Sequence, residues 1–522
     1  MQSIIERFLA SRNRHEDKTA LVVEEARLTY GELAAQVRDC AAGLSALGVG
    51  PDTKLGIVLK NSREFAVTLL AAADLSAVVV PVPPGLGAEA LATAMRATDV
   101  THVVGKASAI RPLCSGENPV VEPGNAVLVD GDLPGGHPFG ELGGIGERTY
   151  QLGANRPRPN QAYILTMTSG STGDPKPIIF SQDTKIARTK NAIDCYGLTE
   201  TDVVLAATPM YHSLAQRLFL LPMMLGATSI VMEHFTPARW LDIVREHQVT
   251  FTIPVSSQLN AILPLYLEAR PDIRCLRVLV SSSAQISLEL KQRLSAELDC
   301  EFHEIYGTSE LGVVSNLAPE HAADKMASVG APLAGIDVRI YGNEGEVLPA
   351  GEIGEIAARS PTVFSGYYNR PEATASAFRD GYFLTGDLGS LDTEGFLHFA
   401  GRKKELIITG GINVYPVDIE KVLMETGLLA ECAVIGVPDA WFGEAALAVV
   451  VPKEPDGFSP RPLQQACRAR LSDYQQPLGF EIVDALPRNE MSKIMKPALQ
   501  QRFAGIDLTA RLRGILGGGR VS

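Results

Sequence analysis

The segment Thr168-Ser169-Gly170-Ser171-Thr172-Gly173-Asp174-Pro175-Lys176-Pro177 has the composition of a loop that holds nucleotide phosphates. Small residues let backbone N–H groups approach phosphate oxygens, the hydroxyls add donors, and Lys176 adds positive charge. Apolar runs that read as strands flank it, Tyr163-Ile164-Leu165 before and Ile178-Ile179-Phe180 after. A Walker A loop ends in Gly-Lys-[Ser/Thr] and opens a helix. Here prolines bracket the lysine and a strand follows, so no helix dipole assists the phosphates.

Further segments with chemical potential follow in order: Tyr306-Gly307-Thr308-Ser309-Glu310, Thr385-Gly386-Asp387, Gly401-Arg402-Lys403-Lys404-Glu405, Gly410-Gly411-Ile412-Asn413-Val414-Tyr415-Pro416 and Pro487-Arg488-Asn489-Glu490-Met491-Ser492-Lys493. Taken singly, each has an ordinary explanation: a solvated glutamate, a turn, a basic face, a surface lysine. Together and in this order they resemble the AMP-forming acyl-adenylate superfamily, which comprises acyl-CoA synthetases, nonribosomal adenylation domains and beetle luciferases. The resemblance runs from about Leu28 to Ile494.

The resemblance implies a two-step reaction. A carboxylate attacks the α-phosphate of ATP, giving acyl-AMP and pyrophosphate, and a thiol then takes the acyl group. Negative charge gathers in the first transition state, so positioning and electrostatics carry most of the catalysis. By resemblance, Thr168 and Glu310 hold Mg²⁺, and the loop Thr168, Ser169, Gly170, Ser171, Thr172, Gly173 and Lys176 cradles the phosphates. Ser283, Ala284, Tyr306, Gly307 and Thr308 line the nucleotide site. Asp387 takes both ribose hydroxyls, since a carboxylate accepts two hydrogen bonds, and Arg402 completes the ribose contacts as a fixed donor fork. Lys493 reaches the α-phosphate and the substrate carboxylate, Lys404 is the hinge of a rotating C-terminal domain, and Gly410 and Gly411 line the tunnel for CoA. The chain departs from the family at Ser492 and Pro177, where glycine is usual, and at Ser282-Ser283-Ala284, where a Gly-Gly-Ala-like loop is common.

His212 matches an aromatic position that gates the acyl site, between Tyr211-His212-Ser213 and the strand ending at Tyr306. Amino-acid-activating members carry an aspartate just after that position and siderophore aryl-acid members an asparagine beside it; this chain has Ser213. Leu214, Leu218, Val255, Leu259, Val313 and Val314 offer apolar surroundings for an acyl or alicyclic tail. The expected activity is therefore an acid–CoA ligase. An acyl-AMP ligase that loads an acyl carrier protein, and a non-catalytic acyl-AMP-binding protein, are the alternatives.

The elements that must position these residues alternate. A helix with apolar positions Leu33, Val37, Ala41, Leu44 and Leu47 precedes a buried strand at 54–59. Strands near 77–81, 100–104, 203–206, 229–232, 249–253 and 278–280 continue the pattern, which is α/β layering. From Val329 to Phe399 short strands and Gly-rich turns predict a small β-rich subdomain. After it, a strand at 406–409, a turn at Gly410-Gly411 and a helix at 416–424 predict a small mobile α/β domain. The expected division is 1–402 for ATP and acid and 403–522 for the domain with the catalytic lysine.

At 522 residues, with 46% hydrophobic and 20% charged residues, the chain suits a globular enzyme. A net charge of −13 argues against nucleic acid and anionic membrane as partners. The N-terminus lacks the apolar stretch of a signal peptide, and the apolar windows 66–82 and 218–232 are too short for a comfortable span. Seven scattered cysteines without a Cys-x-x-Cys pair fit reduced thiols in a cytoplasm.

Overall fold

Ser3 and Thr29 each close a capping box with a glutamate three residues on, Glu6 and Glu32, and so start the helices Ile4–Arg14 and Tyr30–Ala46. The second buries Leu33, Val37, Ala41 and Leu44 as its periodicity predicts. The helix Arg63–Leu75 is apolar all round and buried from Phe65 to Leu75, which marks it as a core helix. The computed structural model describes residues 2–146, 149–167, 176–283, 286–439, 442–489, 493–506 and 508. Its contacts divide into two units: 1–326 with 333–337 and 359–381, and 327–332 with 338–358 and 382–522.

The larger unit carries two mainly parallel sheets. One runs His137–Pro138, Ala126–Leu128, His102–Gly105, Lys54–Val58, Val78–Pro81, Ala162–Met167, Pro177–Ser181, with only the last pair antiparallel. The other contains, in spatial order, Gly312–Leu317, Glu301–Thr308, Val278–Ser281, Phe251–Thr252, Val203–Ala206, Thr228–Val231, Thr19–Val23 and Ala26–Thr29. It includes two antiparallel hairpins, Thr19–Val23 with Ala26–Thr29 and Glu301–Thr308 with Gly312–Leu317. These strands are continuous apolar runs because a parallel sheet is covered on both faces. The strand expected at 249–253 contracts to Phe251–Thr252. The Thr250 hydroxyl instead accepts from the Val203 amide at 3.0 Å and donates to Asp202 Oδ1 at 2.6 Å.

The β-rich stretch expected from Val329 to Phe399 is not one body. Residues 359–381 belong to the larger unit, where they run beside the strand Pro177–Ser181. Ile179 N donates to Gly366 O, Ser365 N to Ile179 O, and Tyr368 N to Pro177 O, at 2.9 to 3.0 Å. An otherwise open strand edge is thus paired.

In the smaller unit, Gly354–Arg359, Tyr382–Leu391 and Leu397–Arg402 form antiparallel ladders. A second sheet is built on the long hairpin Leu429–Asp439 with Gly443–Pro452. Alternate residues feed two cores: Val434 and Ala448 face one, Ile435 and Val449 the other. Leu463 and Ile419 complete the first core and Leu499 and Phe503 the second, so helices cover both faces.

Candidate active site

In the larger unit the phosphate-loop candidate joins two strands that are ladder partners at its base, Met167 with Pro177. Thr168, Ser169, Gly170, Ser171, Thr172 and Gly173, like Ala284 and Ser492, lie outside the described residues. Lys176 follows the loop, its ammonium 5.6 Å from the centre of the Tyr367 ring. The Tyr367 hydroxyl donates to Glu310 Oε1 at 3.0 Å. One aromatic residue therefore connects the expected phosphate lysine with the expected metal carboxylate.

Glu310 itself sits in the turn of the hairpin Glu301–Thr308 and Gly312–Leu317. The register shifts between Tyr306 and Gly307, a bulge that redirects the strand as it enters the turn. Gly307 has no alternative, because a Cβ there would lie 2.0 Å from Gly312 O. The Thr308 hydroxyl accepts from Leu311 N at 3.2 Å and helps shape the turn. From behind, Arg188 donates to the carbonyls of Ser309 and Glu310, both at 2.9 Å, and to Thr362 O at 3.0 Å. A charged strut thus fixes the peptide that carries Glu310.

His212 is the N-cap of the helix Ser213–Leu225, its ring 4.8 Å from that of Tyr211. Of the apolar residues expected around an acyl tail, Leu218, Val255, Leu259 and Val314 are buried core, while Leu214 and Val313 are half-buried. Ser283 takes φ 76°, a left-handed conformation that glycine adopts without strain and serine does not.

In the smaller unit Asp387 and Arg402 are cross-strand partners. Their side chains lie 3.5 Å apart, the carboxylate 9% exposed and the guanidinium 57%. Glu355 steadies this end of the ladder, accepting from Gly386 N at 3.1 Å and from Lys403 Nζ at 2.6 Å. Lys493 is held through its backbone, whose N–H donates to Asn489 Oδ1 at 3.0 Å and whose carbonyl accepts from Asn489 N at 2.9 Å. Burial lowers its pKa to about 8; Arg402 pushes the same way, and Asp387 opposes both. Lys493 thus stands within electrostatic reach of the ion pair.

Lys404 is exposed, in the single turn Lys403–Glu405 between the strands Leu397–Arg402 and Ile407–Thr409. Gly410 and Gly411 have φ 58° and 83° and join Ile407–Thr409 to Ile412–Val414 by a two-residue turn. Positive φ at both central residues is what a tight hairpin turn demands, so the turn alone accounts for both glycines.

Tyr367 and Arg188 escaped sequence reasoning. Arg188 lies on a helix with no motif, and Tyr367 is separated from Glu310 by 57 positions. The Phe364-Ser365-Gly366-Tyr367-Tyr368 run, aromatic residues around a glycine, was the available signal.

The AMP-binding enzyme model matches residues 8–368, and the model of the AMP-binding enzyme C-terminal domain matches 418–493. A feruloyl-CoA synthase of Amycolatopsis is 34% identical over 91% of this chain and 94% of its own length. The long-chain-fatty-acid–CoA ligase FadD13 of Mycobacterium tuberculosis is 30% identical over 92% and 94%. Among solved structures, ATP-bound MatB from Rhodopseudomonas palustris superposes with a TM-score of 0.87 at 26% identity, over 97% of this chain and 99% of that one. The protein is a member of the AMP-binding enzyme family, the AMP-forming acyl-adenylate superfamily that its ordered motifs resemble.

Proposed function

We propose that the chain activates a carboxylic acid as its acyl-adenylate, with Lys493 as the catalytic cation, and passes the acyl group to CoA. The protein is an AMP-forming acid–CoA ligase that uses ATP and CoA. The observation that carries the assignment of Lys493 is its position: mostly buried, within reach of Asp387 and Arg402, on a backbone fixed by Asn489. A lysine with no function has little reason to give up hydration beside a guanidinium.

In the adenylation step the substrate carboxylate attacks the α-phosphorus of ATP, and the bond to the β-phosphate bridging oxygen breaks. The ammonium of Lys493 meets the charge that develops on the α-phosphate oxygens. Asp387 holds the ribose, and its partner Arg402, 3.5 Å away, helps to orient that carboxylate. Lys176 and the loop before it receive the leaving pyrophosphate, and Tyr306, Gly307 and Thr308 flank the nucleotide. His212 bounds the mouth of the acyl site.

The donors fit Mg²⁺. Glu310 is a hard oxygen ligand whose Oε1 is oriented by Tyr367, while Oε2 accepts no hydrogen bond from a described residue. Mg²⁺ is commonly held by one or two carboxylates together with substrate phosphates. Glu310 and Thr168 would hold it, and it would supply neutralising charge to the phosphates.

For thioester formation the thiol of CoA must reach acyl-AMP where Lys493 had been. We assign that exchange to rotation of residues 403–522 about Lys404, an exposed residue between two strands, as hinges are. Seven free cysteines are consistent with work in the cytoplasm. No helix among the described residues is long and apolar enough to cross a membrane.

Nucleotide analysis during turnover on a panel of carboxylic acids tests the reaction. AMP and pyrophosphate are expected; ADP with orthophosphate refutes it. Lys404→Pro, which fixes φ near −65°, separates the steps. Acyl-AMP should still form while CoA-dependent turnover falls steeply, and undiminished turnover would place the pivot elsewhere.

A further inference from the structure

Three residues beyond Lys493 the smaller unit withdraws a second lysine from water, one that the adenylation chemistry does not use. Lys496 opens the helix Lys496–Phe503, and its side chain is 14% exposed. Its ammonium lies 2.8 Å from Glu420 Oε1 and 3.1 Å from Glu405 Oε2. Burial works against its charge, and Glu420 and Glu405 outweigh burial, so its pKa stands above the ordinary value. The two carboxylates come from different places. Glu420 stands on the helix Pro416–Met424, and the same Oε1 accepts at 2.8 Å from the amide of Val434, on the end strand of its sheet. That arm belongs to the domain core. Glu405 belongs to the turn Lys403–Glu405, which follows Arg402 directly. Among the described residues Lys496 is its one ion partner.

Lys496 follows Lys493 by three residues, and Glu405 follows Arg402 by three. Their ion pair therefore joins the two chain segments that carry the cations of the site. The segment between 493 and 496 has little freedom to absorb a displacement. Asn489 N donates to Lys493 O at 2.9 Å, Met495 N donates to Pro487 O at 2.8 Å, and Arg488 bridges Ile494. A shift at 496 is thus passed along bonded arms, 487–489 and 493–495, to the backbone of Lys493. A buried ion pair is a costly way to gain stability alone, and fixing one arrangement is its better-attested use.

We infer that Lys496 is a positioning residue for adenylation: its ion pair with Glu405 sets where the Lys493 ammonium stands relative to Arg402 and Asp387, and Glu420 anchors the lysine that does so. The inference rests on the adenylation reading and adds a residue to it. Because Lys496 acts through Lys493, its influence should be confined to the half-reaction that uses Lys493. An ion triad that only stabilised the domain would affect both half-reactions alike.

The experiment compares single-turnover adenylation, read as pyrophosphate release, with thioester formation from supplied acyl-AMP, both in the full-length enzyme. Glu405→Ala is the deciding variant, because Lys496 keeps Glu420 and no charge is left without a partner. Adenylation should fall by roughly 10- to 100-fold, the scale on which an ångström of misplacement costs up to 10². Thioester formation should stay at the wild-type rate. Glu405→Gln, which still accepts a hydrogen bond, should restore part of the loss, and Lys496→Met should lose at least as much as Glu405→Ala. In a Lys493→Ala background Glu405→Ala should cost adenylation nothing further, since a residue that acts through another is not additive with it. Equal losses in both half-reactions, or a full multiplicative loss in the double variant, overturn the inference, because the ion pair then serves the fold. Wild-type adenylation in Glu405→Ala overturns it too and leaves the role of Lys493 standing. Wild-type adenylation in Lys493→Ala would instead refute the reading on which the inference rests.

Discussion

The larger unit gathers the cations Lys185, Arg188 and Arg217 between two helices, while the smaller one sets a mostly buried Lys493 near Arg402, whose guanidinium is 57% exposed. The second group pairs a carboxylate directly, Asp387, 3.5 Å from Arg402. The first draws on carbonyl oxygens, an amide and an aromatic face, and Arg217 Nε has no hydrogen-bond partner among the described residues. A paired guanidinium keeps its neighbours' charges stable and oriented, which suits the fixed ribose of a nucleotide.

The strongest way to break this comparison is to remove the cation assigned to chemistry. Lys493→Ala should lower adenylation by roughly 10² to 10³, as for loss of one preorganised transition-state donor. Thioester formation from supplied acyl-AMP should persist. Single-turnover assays of the two half-reactions read both effects, and equal losses would mean that Lys493 serves the fold.

Arg188→Met tests the claim that the other cluster is partly structural. It strips charged donors from the carbonyls of Ser309, Glu310 and Thr362, so stability should fall by roughly 2–4 kcal/mol through unsatisfied acceptors. The first urea unfolding transition should shift down, and pyrophosphate release should weaken as the Glu310 turn loosens. A transition at its wild-type midpoint would show that Arg188 supports nothing.

The paired cluster also predicts a pH response. On the proposed mechanism Lys493 works as an ammonium, and its pKa of about 8 lies below the ordinary 10.5. The charged form therefore prevails below pH 8, and kcat/KM for adenylation should decline as pH rises through that value. Arg402→Ala removes a charge that depresses Lys493, so the limb should move to higher pH; Asp387→Asn should move it lower. A limb that ignores both substitutions belongs to another group.

The smallest expected effect sharpens the contrast between strain and charge. Ser283→Gly relieves a left-handed φ of 76°, and stability should rise by up to ~1 kcal/mol after the entropy cost of glycine. Thermal denaturation measures it. A destabilised variant would mean that the serine side chain earns its place through contacts.

The motif order, the alternating helices and strands and the helix at Pro416–Met424 were legible because each is local: apolar spacing, a cap, a proline at the start. The Gly410-Gly411 turn was legible for the same reason. Sequence could not show that residues 359–381 join the larger unit, since that depends on the free edge of a strand nearly two hundred positions earlier. Nor could it separate Val313, which lines a cavity, from Val314, which is core, because adjacent strand residues face opposite ways only once the strand has a neighbour.

By itself, then, the chain's sequence determined the family, through motifs whose order and residue types are local: a Gly/Ser/Thr-rich segment, Thr385-Gly386-Asp387 and a lysine near the end. Tertiary structure decided which charges are balanced. Asp387 meets Arg402 through strand register, Tyr367 reaches Glu310 through a segment added to a sheet edge, and Lys185 meets the Gln216 amide through the packing of two helices. The free energy of a charge depends on what surrounds it, and its surroundings come from parts of the chain that sequence distance does not relate.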